Sequence, residues 1–220
     1  MSRAGVAVVV LALALGLVAA DAAAQAKGPL SREQALADVT SSDLDARRRA
    51  AAWLGEVGVI ADAPVLIGAL SDEDEAVRVL AEHSVWQVWS RSGDREADDL
   101  LQVGIEQMSR GDGPAAAQTF TQVIRRKPDF AEAWNKRATV YFLMGEHEKS
   151  LRDCDEVMKR NPAHFGALAG YGQIYLQLDD PEQALAYFRR ALQVNPNLGA
   201  VRQVIPQLEQ LLTERRKRTI

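Results

Sequence analysis

Three prolines stand 34 residues apart, at Pro128, Pro162 and Pro196. Each follows a basic or amide residue at the end of an apolar-periodic stretch, in Arg-Lys-Pro-Asp, Arg-Asn-Pro-Ala and Val-Asn-Pro-Asn. Proline has no N–H to donate, and its ring clashes with the preceding turn, so each one stops a helix and starts the next. A fixed period of this length marks a structural unit used several times. Units of this kind bury their apolar faces by stacking on their neighbours.

Other positions keep the same register. Gly104, Ala138 and Gly172 are small where two helices of a hairpin must approach closely. Tyr141 and Tyr175 follow three residues later, with Gln107 in the first copy. Ala116, Ser150 and Ala184 are small again, and Phe120, Cys154 and Phe188 follow each by four residues, on the same helix face. Turns are predicted at Gly111, Gly145 and Asp179. This pattern resembles the tetratricopeptide repeat, a 34-residue helix–turn–helix, in three copies over residues 95–198. The resemblance implies antiparallel helix pairs wound into a right-handed superhelix with a concave groove. Leu100 and Leu168 depart from the tryptophan seen at Trp134, and Cys154 departs from phenylalanine.

Residues 30–92 show a shorter period. Asp43 matches Asp74, Arg47 matches Arg78, Ala50 matches Ala81 and Leu54 matches Val85, each 31 residues on. Acidic turns precede the helices that open near the arginines, where a carboxylate caps the first turn and complements the dipole. This segment resembles a pair of short HEAT-type repeats. Two copies are too few to stand alone, so they are expected to stack on the first 34-residue repeat. Residues 199–217 read as an amphipathic capping helix, with Val201, Val204, Ile205, Leu208, Leu211 and Leu212 on one stripe. The fold class is therefore all-α: a helical-repeat solenoid of about eleven helices. Its HEAT-like pairs precede three tetratricopeptide-type pairs and a cap.

Residues 1–24 read as a secretory signal. Arg3 supplies the positive start, Ala4 to Ala20 carry no charge, and small residues around Ala22, Ala24 and Ala26 suit cleavage. The expected location is exported and periplasmic, with the membrane touched only through an uncleaved signal. No cysteine follows the apolar run, which excludes a lipoprotein anchor.

Lys and Arg number 26 against 30 Asp and Glu, a net charge of −4. Nucleic-acid binding needs a basic face to displace counterions from phosphates, so this balance argues against it. The single cysteine allows neither an internal disulfide nor a thiolate zinc cage. His83, His147 and His164 fall on different repeats, without metal-ligand spacing. No Gly-x-Ser-x-Gly elbow and no phosphate-cradling glycine loop is present. Cys154 reads as a core thiol, and Asp153, Asp155 and Glu156 read as a solvated face. No catalytic residue, cofactor or metal is expected.

What remains is the groove. The tetratricopeptide resemblance places its lining at set positions of each first helix. Carried over, these give Leu101, Ile105 and Met108, then Asn135, Thr139 and Phe142, then Gly166, Ala169, Gln173 and Leu176. Apolar walls would supply affinity, and the amides would pair with a peptide backbone. Some relatives hold the C-terminal carboxylate of heat-shock chaperones in a clamp of Lys, Asn and Arg. The matching positions here are Leu101, Ile105, Lys136, Gly166 and Gly170, so that clamp is absent. The expected function is a non-catalytic scaffold or adaptor holding a protein or peptide partner. The alternatives are a self-associating structural protein and an auxiliary subunit of an envelope enzyme complex.

Overall fold

The computed structural model describes residues 30–218, and the segment read as a signal, 1–24, lies outside them. Among the described residues the regular structure is eleven α-helices and one 3₁₀ turn. The chain is an all-α helical solenoid.

The N-terminal module comprises α1 (Arg32–Asp38), α2 (Leu44–Val57), the 3₁₀ turn Ile60–Asp62, α3 (Ala63–Ala69) and α4 (Glu75–Trp89). Asp43 and Asp74 cap α2 and α4 through their carboxylates, as their 31-residue spacing predicts. Helices α2 and α4 lie side by side, with α1 and α3 packed on them. Ala50, Leu54, Leu66, Leu70, Val77, Ala81 and Val85 form the shared core. Arg47 pairs with Asp72 at 2.9 Å and Arg48 with Asp74 at 2.7 Å, tying the start of α2 to the turn before α4.

Six helices make the three 34-residue repeats: α5 (Arg95–Ser109), α6 (Gly113–Arg126), α7 (Ala131–Leu143), α8 (His147–Arg160), α9 (Phe165–Gln177) and α10 (Pro181–Val194). In the superhelix that the resemblance implies, odd-numbered members take the inner layer and even-numbered members the outer one. The three prolines occupy the connectors 127–130, 161–164 and 195–198. The turns within repeats reverse at Gly111, Gly145 and Asp179, whose φ values are 79°, 76° and 56°. A Cβ at Gly111 would meet open space, so only backbone strain opposes a side chain there. Gly111→Ala should therefore cost about 1–2 kcal/mol in urea denaturation. Gly111→Asn, whose side chain tolerates the left-handed region as Asp179 does, should cost distinctly less. Equal costs would mean that the turn relaxes away from positive φ.

Within repeats, Gly104 lets α5 approach the Phe120 ring, and Gly172 lets α9 approach Phe188. The middle repeat reverses the sizes: Ala138 stands opposite Cys154. The Cys154 thiol is buried, and burial together with Asp153 and Asp155 pushes its pKa up to about 12. Asp153 corrects the sequence reading. It is not on a solvated face but buried, and it accepts two bonds from Arg137, at 2.7 and 2.8 Å. Arg137 also donates to Thr121 and lies over Trp134, so a single guanidinium joins α6, α7 and α8.

The last helix, α11 (Gly199–Arg218), seats Val201, Leu208 and Leu212 against Ala184, Leu185 and Phe188. Pro206 lies within this helix.

The N-terminal module does not continue the stack from α5; those helices do not run against each other. The chain turns between Ser90 and Asp94, with Gly93 at φ 74°, and the module meets the second and third repeats. Phe165 joins the module's own apolar cluster, and Val194 and Leu198 pack on its edge. Arg78 donates to Asn197 Oδ1 at 3.1 Å, and Asn197 Nδ2 donates to the Leu70 carbonyl at 2.8 Å. The tryptophan edge of α4 decides this: Trp86 and Trp89 find aromatic partners at the start of α9, not on α5.

Candidate functional site

Inner helices α7 and α9 leave a small cleft between them. Asn135, Ala138, Thr139 and Phe142 contribute one wall, Gly166, Gly170, Gln173 and Ile174 the other, and Ser150 and Cys154 the floor. The cleft exists because of what is missing. The outer helix offers a thiol where its neighbours offer phenyl rings, and Gly170 leaves α9 without a side chain opposite it. A Cβ at Gly170 would come within 3.9 Å of Cys154 Sγ, an ordinary contact, so this glycine leaves space that it is not forced to leave.

Of the ten residues assigned to the groove, five meet at this cleft: Asn135, Thr139, Phe142, Gly166 and Gln173. The other five lie apart. Leu101 is buried in the first repeat's core, with Ile105 and Met108 packed partly against it. Ala169 and Leu176 pack partly on the cluster shared by α10 and α11. The amides differ in availability. Asn135 is 8% exposed and its Nδ2 already donates to Glu132 at 3.0 Å, whereas Gln173 is exposed. The Thr139 hydroxyl donates back to the Asn135 carbonyl at 3.0 Å, within its own helix.

Beside the cleft, at the helix starts, lies a polar cluster that the sequence reading did not single out. The Glu132 side chain is wholly buried. Its Oε2 accepts from Asn135 and from His164 Nε2, the latter at 2.9 Å, and its Oε1 lies 3.0 Å from Lys136 Nζ. His164 Nδ1 accepts from the Ala167 amide at 3.1 Å and so caps α9. That bond assigns the ring proton to Nε2, facing the carboxylate. Burial pushes the Glu132 carboxyl upward, but His164 and Lys136 outweigh it and hold the group below its ordinary value. Trp89 stacks on His164 with ring centres 4.3 Å apart, Trp86 meets His164 and Phe165 edge-on, and Lys136 sits over Trp86. A signal for this cluster was present. In register with His164 stand Phe130 and Leu198, so a polar residue breaks an apolar position of the repeat.

Among the described residues no group of three or more His, Cys, Asp or Glu is placed to hold a metal. No described helix is long and apolar enough to cross a membrane.

Comparison with known proteins bears on the 34-residue units. Residues 129–197 match the family model described as tetratricopeptide repeat. A tetratricopeptide repeat-containing protein of Rhizobium etli is 35% identical over 108 residues, covering 49% of this chain and 53% of its own. Hsp70-Hsp90 organizing protein 1 of Glycine max is 25% identical over 116 residues, covering 51% of this chain and 20% of its own. The chain thus spans about half the length of the first relative and a fifth of the second. Among solved structures, the Sgt2 tetratricopeptide domain of Aspergillus fumigatus superposes with a TM-score of 0.53 at 21% identity, over 56% of this chain and 83% of that one. The first such domain of Spaghetti (RPAP3), bound to an HSP90 peptide, gives 0.52 at 21% identity over 54% and 94%. These likenesses carry the fold. The helix pairs over residues 129–197 are similar to tetratricopeptide repeats, and proteins of that family are in general interaction modules without catalysis.

Proposed function

We infer that the chain is a non-catalytic adaptor that holds a segment of a protein partner in the cleft between α7 and α9. The observation that carries this reading is the cleft itself, an opening of about 50 Å³ bordered by Thr139, Phe142 and Gln173, which takes one small side chain of the segment. Solved tetratricopeptide domains of the same fold include ones bound to chaperone peptides. Here Leu101, Ile105, Lys136, Gly166 and Gly170 stand at the positions that the tetratricopeptide resemblance gives to a carboxylate clamp, and only Lys136 is basic. The partner segment is therefore an internal stretch, not a C-terminal carboxylate. The apolar run before Asp21 and the small residues after it support export to the periplasm, and the 31-residue period supports HEAT-like repeats over 30–92.

The test is photocrosslinking in cells with the probe at Gln173 and a control probe at Lys149, both exposed. The expected result is a discrete heterologous adduct from Gln173 and none from Lys149. Adducts of equal yield at both sites, or only of the protein with itself, overturn the cleft reading and favour self-association.

A further inference from the structure

We propose that the N-terminal module is a displaceable cover on the inner face, with Trp86 as the plug that occupies ground a partner's aromatic side chain would take. The cover rests on the intramolecular contacts alone; its effect on partner capture rests on the binding reading above.

Trp86 occupies a socket made by the repeats. A Cβ at Gly166 would fall 2.5 Å from Trp86 Cη2, so α9 carries glycine where the indole lies against its backbone. Phe165 and His164 meet the ring edge-on, with centres 5.1 and 5.6 Å away, and the Lys136 ammonium stands 5.7 Å over it. Cation and aromatic edges together favour an indole over an aliphatic side chain. Gly166 also borders the cleft, so the plug and a bound segment share a wall.

Three features make this contact one that opens. First, Leu54, Leu66, Leu70, Val77 and Val85 give the module an apolar cluster drawn almost wholly from its own helices, with Phe165 the one fully buried member from the repeats. Second, side-chain tips bridge the two parts, and beneath them lie Glu132, His164 and Lys136, whose charges or polar atoms lose water on closure. Interfaces between parts of one chain commonly move unless they are large and hydrophobic, and this one combines those polar groups with Phe165, Trp86 and Trp89. Third, the fit is incomplete. A pocket of about 250 Å³ remains between Ile60, Pro64 and Ile67 on the module and Asp129, Arg160 and Asn161 on the repeats. The hinge is Gly93, at positive φ in open space, and the bonds that cross it run from Ser92 to Asp94 and Asp98. On its module side Arg91 donates to the carbonyls of Gly55 and Gly58, and on its repeat side Asp94 caps α5.

The cover is tested on the full chain by electron–electron spin distances between nitroxides at His83→Cys and Glu148→Cys, both at exposed positions. Cys154 is buried and does not compete for the label. The wedge is Gly166→Ala, whose methyl meets the indole from the repeat side and touches nothing in the module's core. Wild type is expected to give one dominant distance. Gly166→Ala should raise the ratio of long to short distances at least tenfold while helicity and melting temperature hold. Trp86→Ala, approached from the other side, should do the same. A single unchanged distance in both variants overturns the cover, as does a loss of helicity that tracks the distance change. Partner capture is read separately. An adduct at Gln173 that rises several-fold in Trp86→Ala, whose position does not border the cleft, supports gating, and an unchanged yield with an opened distance overturns the gating. No adduct in either form counts against the binding reading, while the spin distances still decide the cover.

Discussion

Glu132→Ala should lower the unfolding free energy by about 3–5 kcal/mol, the largest single effect expected in this chain. The carboxylate is buried on all sides and holds His164, Asn135 and Lys136 at once. Removing it leaves an imidazole N–H and an amide N–H without an acceptor in a site closed to water, and an ammonium without its counter-charge. Glu132→Gln keeps an acceptor for His164 and should cost less than half as much. The pH dependence supplies a second readout. The folded carboxyl titrates below its ordinary value of 4.5, so its stabilising contribution is complete above that pH. As the pH falls through the folded value, the contribution is lost. Glu132→Gln should therefore flatten the acid limb of the stability curve and leave the neutral region parallel to wild type. An Ala variant as stable as the Gln variant would show that water enters the site and replaces the carboxylate.

Much of this architecture is legible in the sequence because its causes are local. Proline at Pro128, Pro162 and Pro196 ends helices through its own ring, and the left-handed turns at Gly111, Gly145 and Asp179 depend on the residue in place. Asp43 and Asp74 cap helices that begin one residue later. The register of small and large residues likewise locates the close approach of helices within each repeat.

The arrangement of the module was not legible in that way. Trp86 and Phe165 lie nearly eighty positions apart, and no period connects them. A repeat pattern tells each unit to stack on the next, so it predicts α4 against α5. The contact made instead depends on which surface offers partners for two tryptophans. Asp153 misled for a related reason. Three acidic groups within four residues look like a wet helix face until Arg137, from the neighbouring helix, covers one of them. Of the groove residues, the tetratricopeptide resemblance placed all ten on the first helix of each repeat. It did not distinguish those bordering open space, such as Gln173, from those taken up by the core, such as Leu101. That difference is set by the outer helices, where Cys154 in place of a phenyl ring makes the room.

This last point carries its own test. A Cβ at Gly172 would lie 2.5 Å from Phe188 Cδ1 and 2.7 Å from its Cζ, and a ring held between two helices has nowhere to go. Gly172→Ala should thus be destabilising by about 1–2 kcal/mol, although alanine is the better helix former. Phe188→Cys alone should cost about 3–4 kcal/mol through the cavity it leaves. Combined, they reproduce the Ala138–Cys154 pair of the middle repeat. The methyl then enters the space the ring vacated, and the double variant should be more stable than the sum of the two losses by about 1–2 kcal/mol. Urea denaturation of the four proteins in the cycle measures this. The reciprocal exchange, Ala138→Gly with Cys154→Phe, should show coupling of the same sign and should also close the cleft, since the new ring rises through its floor. Strict additivity in both cycles would mean that glycine and phenylalanine are matched for some other reason, and that the thiol is not what opens the inner face.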